Sequence, residues 1–321
     1  MITVLGAGVA GLCVATALAE RGVAVQVVDA GPDPLLAQAT GASWLAGGML
    51  AAQVEAEDAP SEVAHLAEGA ANWWHNRVPG VQSRGMLVVA AARDQAELAR
   101  FAQRTTGHNR IGADDLAALE PDLAGRFATG LYYRAAAHLD PATALIALTQ
   151  GLRRQGVSLR YGTRAQPNPG DVDCRGLAAR AHLPGLRPVR GEMLVLYSPE
   201  VRLLRPVRLL HPRFPLYIVP RGDGRFMLGA TMLESDDAGP ISARSMMELL
   251  SAAVTLHPAF AESAIVATGV GLRPAFADNL PRVTQAGGIW HLNGLYRHGF
   301  LTAPALALQL VASMEPCHAV H

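Results

Sequence analysis

Ile2-Thr3-Val4-Leu5-Gly6-Ala7-Gly8-Val9-Ala10-Gly11, followed by an alanine-rich run to Arg21, decides the fold. The first four residues are β-branched or apolar and read as a short strand. Leu12 to Arg21 favours helix, Gly22 closes it, and Val23 to Val28 is a second apolar strand ending at Asp29. The order is strand, glycine turn, helix, strand, with G-x-G-x-x-G at the first turn and an acid after the second strand. That is the dinucleotide-binding βαβ pattern. Gly6 permits the tight turn, Gly8 lets a pyrophosphate approach the backbone, and Gly11 lets the helix lie against the strand. The helix N-terminus, at Val9 and Ala10, offers unsatisfied N–H groups and roughly half a positive charge to the phosphates. Asp29, with Ala30 beside it, is placed to accept hydrogen bonds from an adenosine ribose. The motif alone does not separate FAD from a nicotinamide dinucleotide.

The chain has 321 residues, room for two domains of ~100–200 residues each. Half of it is hydrophobic and 17% is charged, which fills a large core and excludes a disordered chain. Positive and negative residues number 27 each, so the basic excess of a nucleic-acid binder is missing. All 27 positive residues are arginine. Without lysine there is no Schiff base, no pyridoxal-phosphate site and no Walker-A loop. Cys13, Cys174 and Cys317 form no CxxC pair, so neither a disulfide framework nor a zinc site is expected, and a reducing compartment is the default. The uncharged stretches Met1 to Ala19 and Leu35 to Val54 are interrupted by glycines or polar residues. They read as neither a signal peptide nor a membrane span, and a soluble cytoplasmic protein is expected.

Further along, Ala39 to Leu50 is dense in small residues, including Ala42, Ser43, Gly47, Gly48 and Met49. It reads either as backbone lying close against something flat or as a plain loop. Ser61 to Asn76 is predicted to be one helix with Ser61 as N-cap, and Asp94 to Thr105 another. Asp140-Pro141 should cap a helix to Arg154. Strands are expected at 85–90, 156–161 and 172–174, in a strand-rich block from Val189 to Met232, and at 265–270. Ser242 to Ala253 and Thr302 to Met314 read as helices. Arg202, Arg205, Arg208 and Arg213 with His211 suggest either an acidic partner or a solvent-facing edge; zero net charge favours the edge.

Four segments carry a resemblance that spans nearly the whole chain: the N-terminal βαβ; Ala42 to Ala51; Tyr217-Ile218-Val219-Pro220-Arg221 leading to Gly229-Ala230-Thr231-Met232; and Gly271-Leu272-Arg273-Pro274 with Asp278, Pro281 and Tyr296-Arg297-His298-Gly299 to Pro304. In these the sequence resembles the glycine oxidases of thiamine biosynthesis, within the D-amino-acid oxidase superfamily. The resemblance implies an α/β fold in which an FAD-binding Rossmann-type domain is interleaved with a smaller antiparallel-sheet substrate domain. The corresponding segments are 1–78, 138–176 and 267–321 for FAD, and 79–137 and 177–266 for substrate. It makes the cofactor FAD, and the absence of a cysteine near Arg273 implies non-covalent attachment. The family positions for cofactor contacts fall on the glycine loop, Ala42, Ser43, Gly47, Gly48, Met49, Arg164 (or a neighbour) at the adenine, and Tyr296, Arg297, His298, Gly299, Phe300 and Leu301. The start of the last helix is expected to face the flavin. This chain departs from the family in a short Ala165 to Asp171 passage and in having His298 where asparagine is common.

The implied reaction is oxidation of glycine or another small amine to an imine and hydrogen peroxide, the imine feeding thiazole formation. Arg273 would hold the substrate carboxylate with two parallel hydrogen bonds, Tyr217 would add a hydroxyl donor, Arg297 would stand beside the ligand, and Met232 would line the pocket. His298 is expected to face the flavin or cap the helix rather than act as a base. Partners are then a small amino acid or amine, oxygen, a second copy of the chain in a homo-oligomer, and a functional link to thiazole synthase. Competing readings are a flavin dehydrogenase or oxidase for sarcosine, another secondary amine or a D-amino acid, and a non-catalytic flavoprotein.

Overall fold

The computed structural model describes residues 1–37, 39–211 and 215–314. The expectations for Arg213 and Cys317 fall outside them. Strand β1 (Ile2–Leu5) turns through Gly6 into helix α1 (Val9–Glu20) and returns in β2 (Val25–Val28). β1 and β2 pair in parallel, Ile2 opposite Val25 and Leu5 opposite Val28, as the opening sequence requires. Residues Val9 to Leu18 of α1 are all buried, which fits a helix that is apolar on every side.

The small-residue passage runs into β3 (Met49–Leu50) and α2 (Ala52–Glu55). The single helix expected over 61–76 is two short ones, α3 (Ser61–Leu66) and α4 (Ala70–His75). Gly69 separates them at φ 73°, a left-handed conformation that glycine adopts without strain. Pro60 holds the N-cap position, and the Ser61 hydroxyl donates to Glu62 instead of capping.

The chain continues through β4 (Met86–Ala90), α5 (Gln95–Arg104), β5 (Asn109–Gly112), α6 (Ala113–Leu119), β6 (Thr129–Tyr133) and β7 (Ala137–His138). Helix α7 (Pro141–Arg154) begins as predicted: Asp140 accepts from the Thr143 N–H at 2.8 Å, and Pro141 takes the first turn. Then come β8 (Ser158–Arg160), β9 (Val172–Asp173), β10 (Arg187–Tyr197), β11 (Val207–Leu210), β12 (Leu216–Gly222) and β13 (Arg225–Gly229). Ser242 caps α8 (Ala243–Leu256), and β14 (Ala264–Ala275), β15 (Arg282–Ala286), β16 (Ile289–Asn293) and α9 (Gly299–Met314) complete the described chain.

These strands form two large sheets. One has the order β15-β16-β9-β1-β2-β8 and is parallel except for the β15–β16 hairpin at its edge. The other has the order β14-β10-β13-β12-β11-β4-β6-β5 and is antiparallel except where β4 meets β11. Each sheet collects strands from separated parts of the chain, which is the interleaving the resemblance implies. Residues 267–275, expected in the cofactor portion, lie in β14. That strand pairs along β10 from Ala275 opposite Arg187 to Ala264 opposite Tyr197, so they belong to the larger sheet. We propose the two-domain division with its third cofactor segment starting after Ala275.

Candidate functional site

A cavity of about 540 Å³, within the range of cofactor sites, is lined by residues from both large sheets. At one end stands the glycine loop. Gly6 sits at φ 99°, and a Cβ there would lie 2.7 Å from the Cys174 carbonyl oxygen. A Cβ on Gly11 would lie 1.8 Å from the Gly6 oxygen, so the turn and the helix approach each other over bare backbone. At Gly8 a Cβ would meet the Ser43 hydroxyl at 3.0 Å, and that hydroxyl accepts from the Val9 N–H at 3.1 Å. The first helical bond of α1 runs from Leu12 to Gly8, which leaves Ala10 and Gly11 without an intrahelical acceptor. Asp29 accepts from Ala7 and Gly31, each at 2.6 Å, so its carboxylate braces the loop as well as facing the cavity. An open cradle of main-chain donors at a helix N-terminus fits a pyrophosphate.

The middle of the cavity is walled by the small-residue passage. Its flat neighbour is β14. A Cβ on Gly271 would come within 3.2 Å of the Ala42 Cα, and one on Gly269 within 2.7 Å of Leu45. Arg221, the last residue of the Tyr217-to-Arg221 block, ties this wall down by donating to the Ala46 and Leu139 carbonyls at 3.0 and 2.9 Å. Burial pulls its pKa to about 10. The first turn of α9 is also on the lining, through Gly299, Phe300 and Leu301, and a Cβ on Gly299 would lie 3.1 Å from a Val9 methyl carbon.

At the other end, Arg273 projects from β14 across β10. A Cβ on Gly191 would lie 2.3 Å from its guanidinium carbon, so the missing side chain is the slot through which Arg273 reaches the cavity. One guanidinium nitrogen donates to the Thr231 carbonyl at 2.9 Å. Burial lowers its pKa to about 10, which still leaves it charged at neutral pH.

The other arginines on the lining are committed to acids. Arg175 pairs with Asp173 at 2.8 Å, Arg208 with Glu57 at 2.6 Å, and Arg297 forms ion pairs with Glu55 at 3.1 Å and Asp58 at 3.4 Å. Among the described residues, Arg273 is the cavity-lining arginine with no carboxylate at ion-pair distance.

Glu55 is the hub of this end. Burial works to raise its pKa, but Arg297, His298 and Arg208 outweigh it and hold the carboxyl below its ordinary range. The Tyr217 hydroxyl donates to Glu55 at 3.0 Å and accepts from Arg208 at 2.8 Å. Its one proton is therefore engaged, so the hydroxyl donor expected for the substrate is turned toward Glu55. Arg297 also donates to the Met232 sulfur at 3.2 Å, which holds that half-exposed side chain at the cavity.

Every residue predicted to touch cofactor or substrate lines the cavity except Gly11, Ala30, Arg164 and His298. Gly11 packs beneath the loop. Tyr161 and Arg175 line the end where Arg164 was expected. Buried His298 has its Nδ1 3.6 Å from Glu55, and its carbonyl accepts from Leu301 and Thr302. It caps the helix rather than facing the cavity, and desolvation lowers its pKa to about 4.

Sequence reasoning missed Glu55 and Glu57, and took Arg208 only as part of an arginine edge. The Glu55-Ala56-Glu57-Asp58 acid run, ending an uncharged stretch, was the available signal. The expected solvent-facing arginine edge is corrected: Arg205 and Arg208 are buried, Arg205 against Glu120 at 2.9 Å and Arg208 against Glu57. Their acids come from distant segments, and such pairing is the usual condition for a charged side chain to be fully buried.

Among known proteins, the sequence model of the FAD dependent oxidoreductase family matches residues 1–313. A putative thiamine biosynthesis oxidoreductase ThiO of Rhizobium etli is 54% identical over 310 residues, covering 95% of this chain and 94% of that protein. A glycine oxidase of Pseudomonas aeruginosa is 26% identical, covering 98% and 95%. The crystal structure of glycine oxidase from Bacillus cereus superposes with a TM-score of 0.79 at 22% identity, covering 98% and 94%, and so shares the fold. No described helix is long and apolar enough to cross a membrane.

Proposed function

The chain belongs to the FAD-dependent oxidoreductase family, and from that premise we propose that it oxidises glycine or a similarly small amine to an imine and hydrogen peroxide. The observation that carries the reading is the uncompensated charge of Arg273 beside the committed arginines. When bound, FAD supplies a two-electron acceptor for the α-C–H bond of the amine. The protein's part is to hold that bond in place. Arg273 is desolvated and lacks an acid, so an incoming carboxylate replaces lost hydration and can take two parallel hydrogen bonds. Arg297 and Tyr217 are fixed by Glu55, so they shape the pocket around the substrate instead of competing for its charge.

The amine must lose its ammonium proton before it reacts. Glu55 is held as an anion of low basicity by Arg297, and His298 lies behind it, off the lining. The proton therefore passes to solvent. The first-turn N–H groups of α9 and its dipole favour negative charge on the cofactor. The imine would feed thiazole formation in the cytoplasm, a step supported by the thiamine-biosynthesis name of the Rhizobium relative; we also propose a homo-oligomer on the family resemblance.

The experiment is aerobic turnover of the FAD-loaded protein with glycine, sarcosine and D-alanine, read as peroxide. Peroxide formed with glycine at the highest catalytic efficiency supports the reading. Flavin reduction by sarcosine or D-alanine but not glycine replaces the substrate, and reduction without peroxide replaces the acceptor.

A further inference from the structure

Pro304 lies inside α9 and carries no N–H. In an α-helix the donor at that position serves the carbonyl four residues earlier, here Phe300. Phe300 is buried, and a buried carbonyl without a donor is costly. The vacancy is filled from elsewhere in the chain. Trp74, on α4, donates its indole N–H to the Phe300 oxygen at 2.7 Å, a buried bond across 226 residues of sequence. The Trp74 ring also lies 5.2 Å from the Phe300 ring, and Trp73 meets Trp74 edge-on at 4.8 Å. Main chain and side chain of Phe300 are thus held by one fully buried residue that does not itself line the cavity.

Phe300 belongs to the first turn of α9. Leu301 and Thr302 fold back onto the His298 carbonyl at 3.0 and 2.9 Å, while Gly299 and Phe300 have no acceptor within the helix and line the cavity. In an unbroken helix the carbonyls of this turn would be bonded only from within, and the turn would follow the helix. Here it is referenced to α4.

We infer that Trp74 is a positioning residue for the flavin: its indole N–H replaces the helical bond that Pro304 removes, and so fixes the first turn of α9 at the cavity. The inference rests on the proposed placement of Gly299 and Phe300 beside the flavin.

The test uses Trp74→Phe, which keeps a ring in the slot and deletes the N–H. Two constants are read without any amine, so a wrong substrate assignment leaves them intact. They are the dissociation constants of FAD and of sulfite, which adds to bound flavin and places negative charge on its pyrimidine edge. Each is expected to rise about tenfold, because a first turn no longer tied to α4 must be ordered when the flavin binds. Adding Pro304→Ala restores a backbone N–H to the Phe300 carbonyl and should return both constants to within about twofold of the starting protein.

The inference is overturned if Trp74→Phe changes neither constant, or if Pro304→Ala rescues neither. Melting temperature separates the two ways of failing. A loss restored by Pro304→Ala with unmoved flavin constants rejects the placement of the turn, whereas an unrestored loss rejects the hydrogen bond. Should Trp74→Phe alone be too unstable to hold flavin, recovery of flavin and sulfite binding in the double variant supports the inference, and failure of both variants overturns it.

Discussion

The glycine-loop end of the cavity and the Arg273 end solve recognition by different physics. At the first end the charged side chains serve the protein's own backbone. Asp29 braces Ala7 and Gly31, and Arg175 holds Asp173 and the Ala165 carbonyl at 3.0 Å. What lines the cavity there is main chain, left bare where Gly6 and Gly8 carry no Cβ. At the second end the groups are side chains, and their charges are balanced pair by pair until Arg273 is left over. The first end is therefore broken by adding atoms, and the second by removing charge.

The largest expected effect tests the steric end. Gly8→Val places a branched side chain against Ser43 and into the cradle. FAD affinity should fall by roughly three orders of magnitude, read from the flavin-to-protein absorbance ratio, while circular dichroism stays close to that of the parent. Retention of full flavin content would place the pyrophosphate elsewhere.

At the charge end, Glu55→Gln removes the acid that compensates Arg297. Stability should drop by ~2–3 kcal/mol in urea unfolding, because the Arg297 cation keeps only its longer contact to the more exposed Asp58. Acetate should bind the variant more tightly, since a second arginine becomes available to an anion. Weaker acetate binding with unchanged stability would show that the two ends are not organised differently.

The smallest effect concerns His298. Its folded pKa of about 4 lies below the unfolded value near 6.5, so the unfolded chain takes up the proton first as pH falls. Stability from this group is intact above pH ~6.5, is lost as pH drops toward 4, and is down by ~2 kcal/mol at pH 5. His298→Asn should flatten that part of the acid limb and leave stability at pH 8 nearly unchanged. His138, also lowered to about 4 by burial, keeps its own share in both proteins. Superimposable acid limbs in parent and variant would mean that His298 is protonated without cost.

The two ends also differ in how far they can be read from residues alone. The βαβ unit, the Asp140 cap and the Ser242 helix are local: the groups that determine each lie within a few residues, and the structure follows them. Gly69 shows where local reading fails, because a glycine inside a helical pattern is tolerated until the backbone needs φ > 0. At the charge end the determinants are remote. Glu57 and Arg208 are 151 residues apart and Glu55 and Tyr217 are 162 apart, so no window of sequence contains both members. Arg273 was legible only through its resemblance to a family motif. Its slot over Gly191 appears once β10 and β14 are in register.

The central claim is that Arg273 is the substrate's carboxylate handle, and anaerobic titration of flavin absorbance with glycine in the parent and in Arg273→Ala tests it most directly. The parent should bleach fully. The alanine variant, with normal FAD content, should need more glycine by ~2–5 kcal/mol of apparent affinity, acetate inhibition should weaken in parallel, and Arg273→Lys should recover only part of the loss. Equal glycine and acetate affinities in parent and Arg273→Ala would contradict the account.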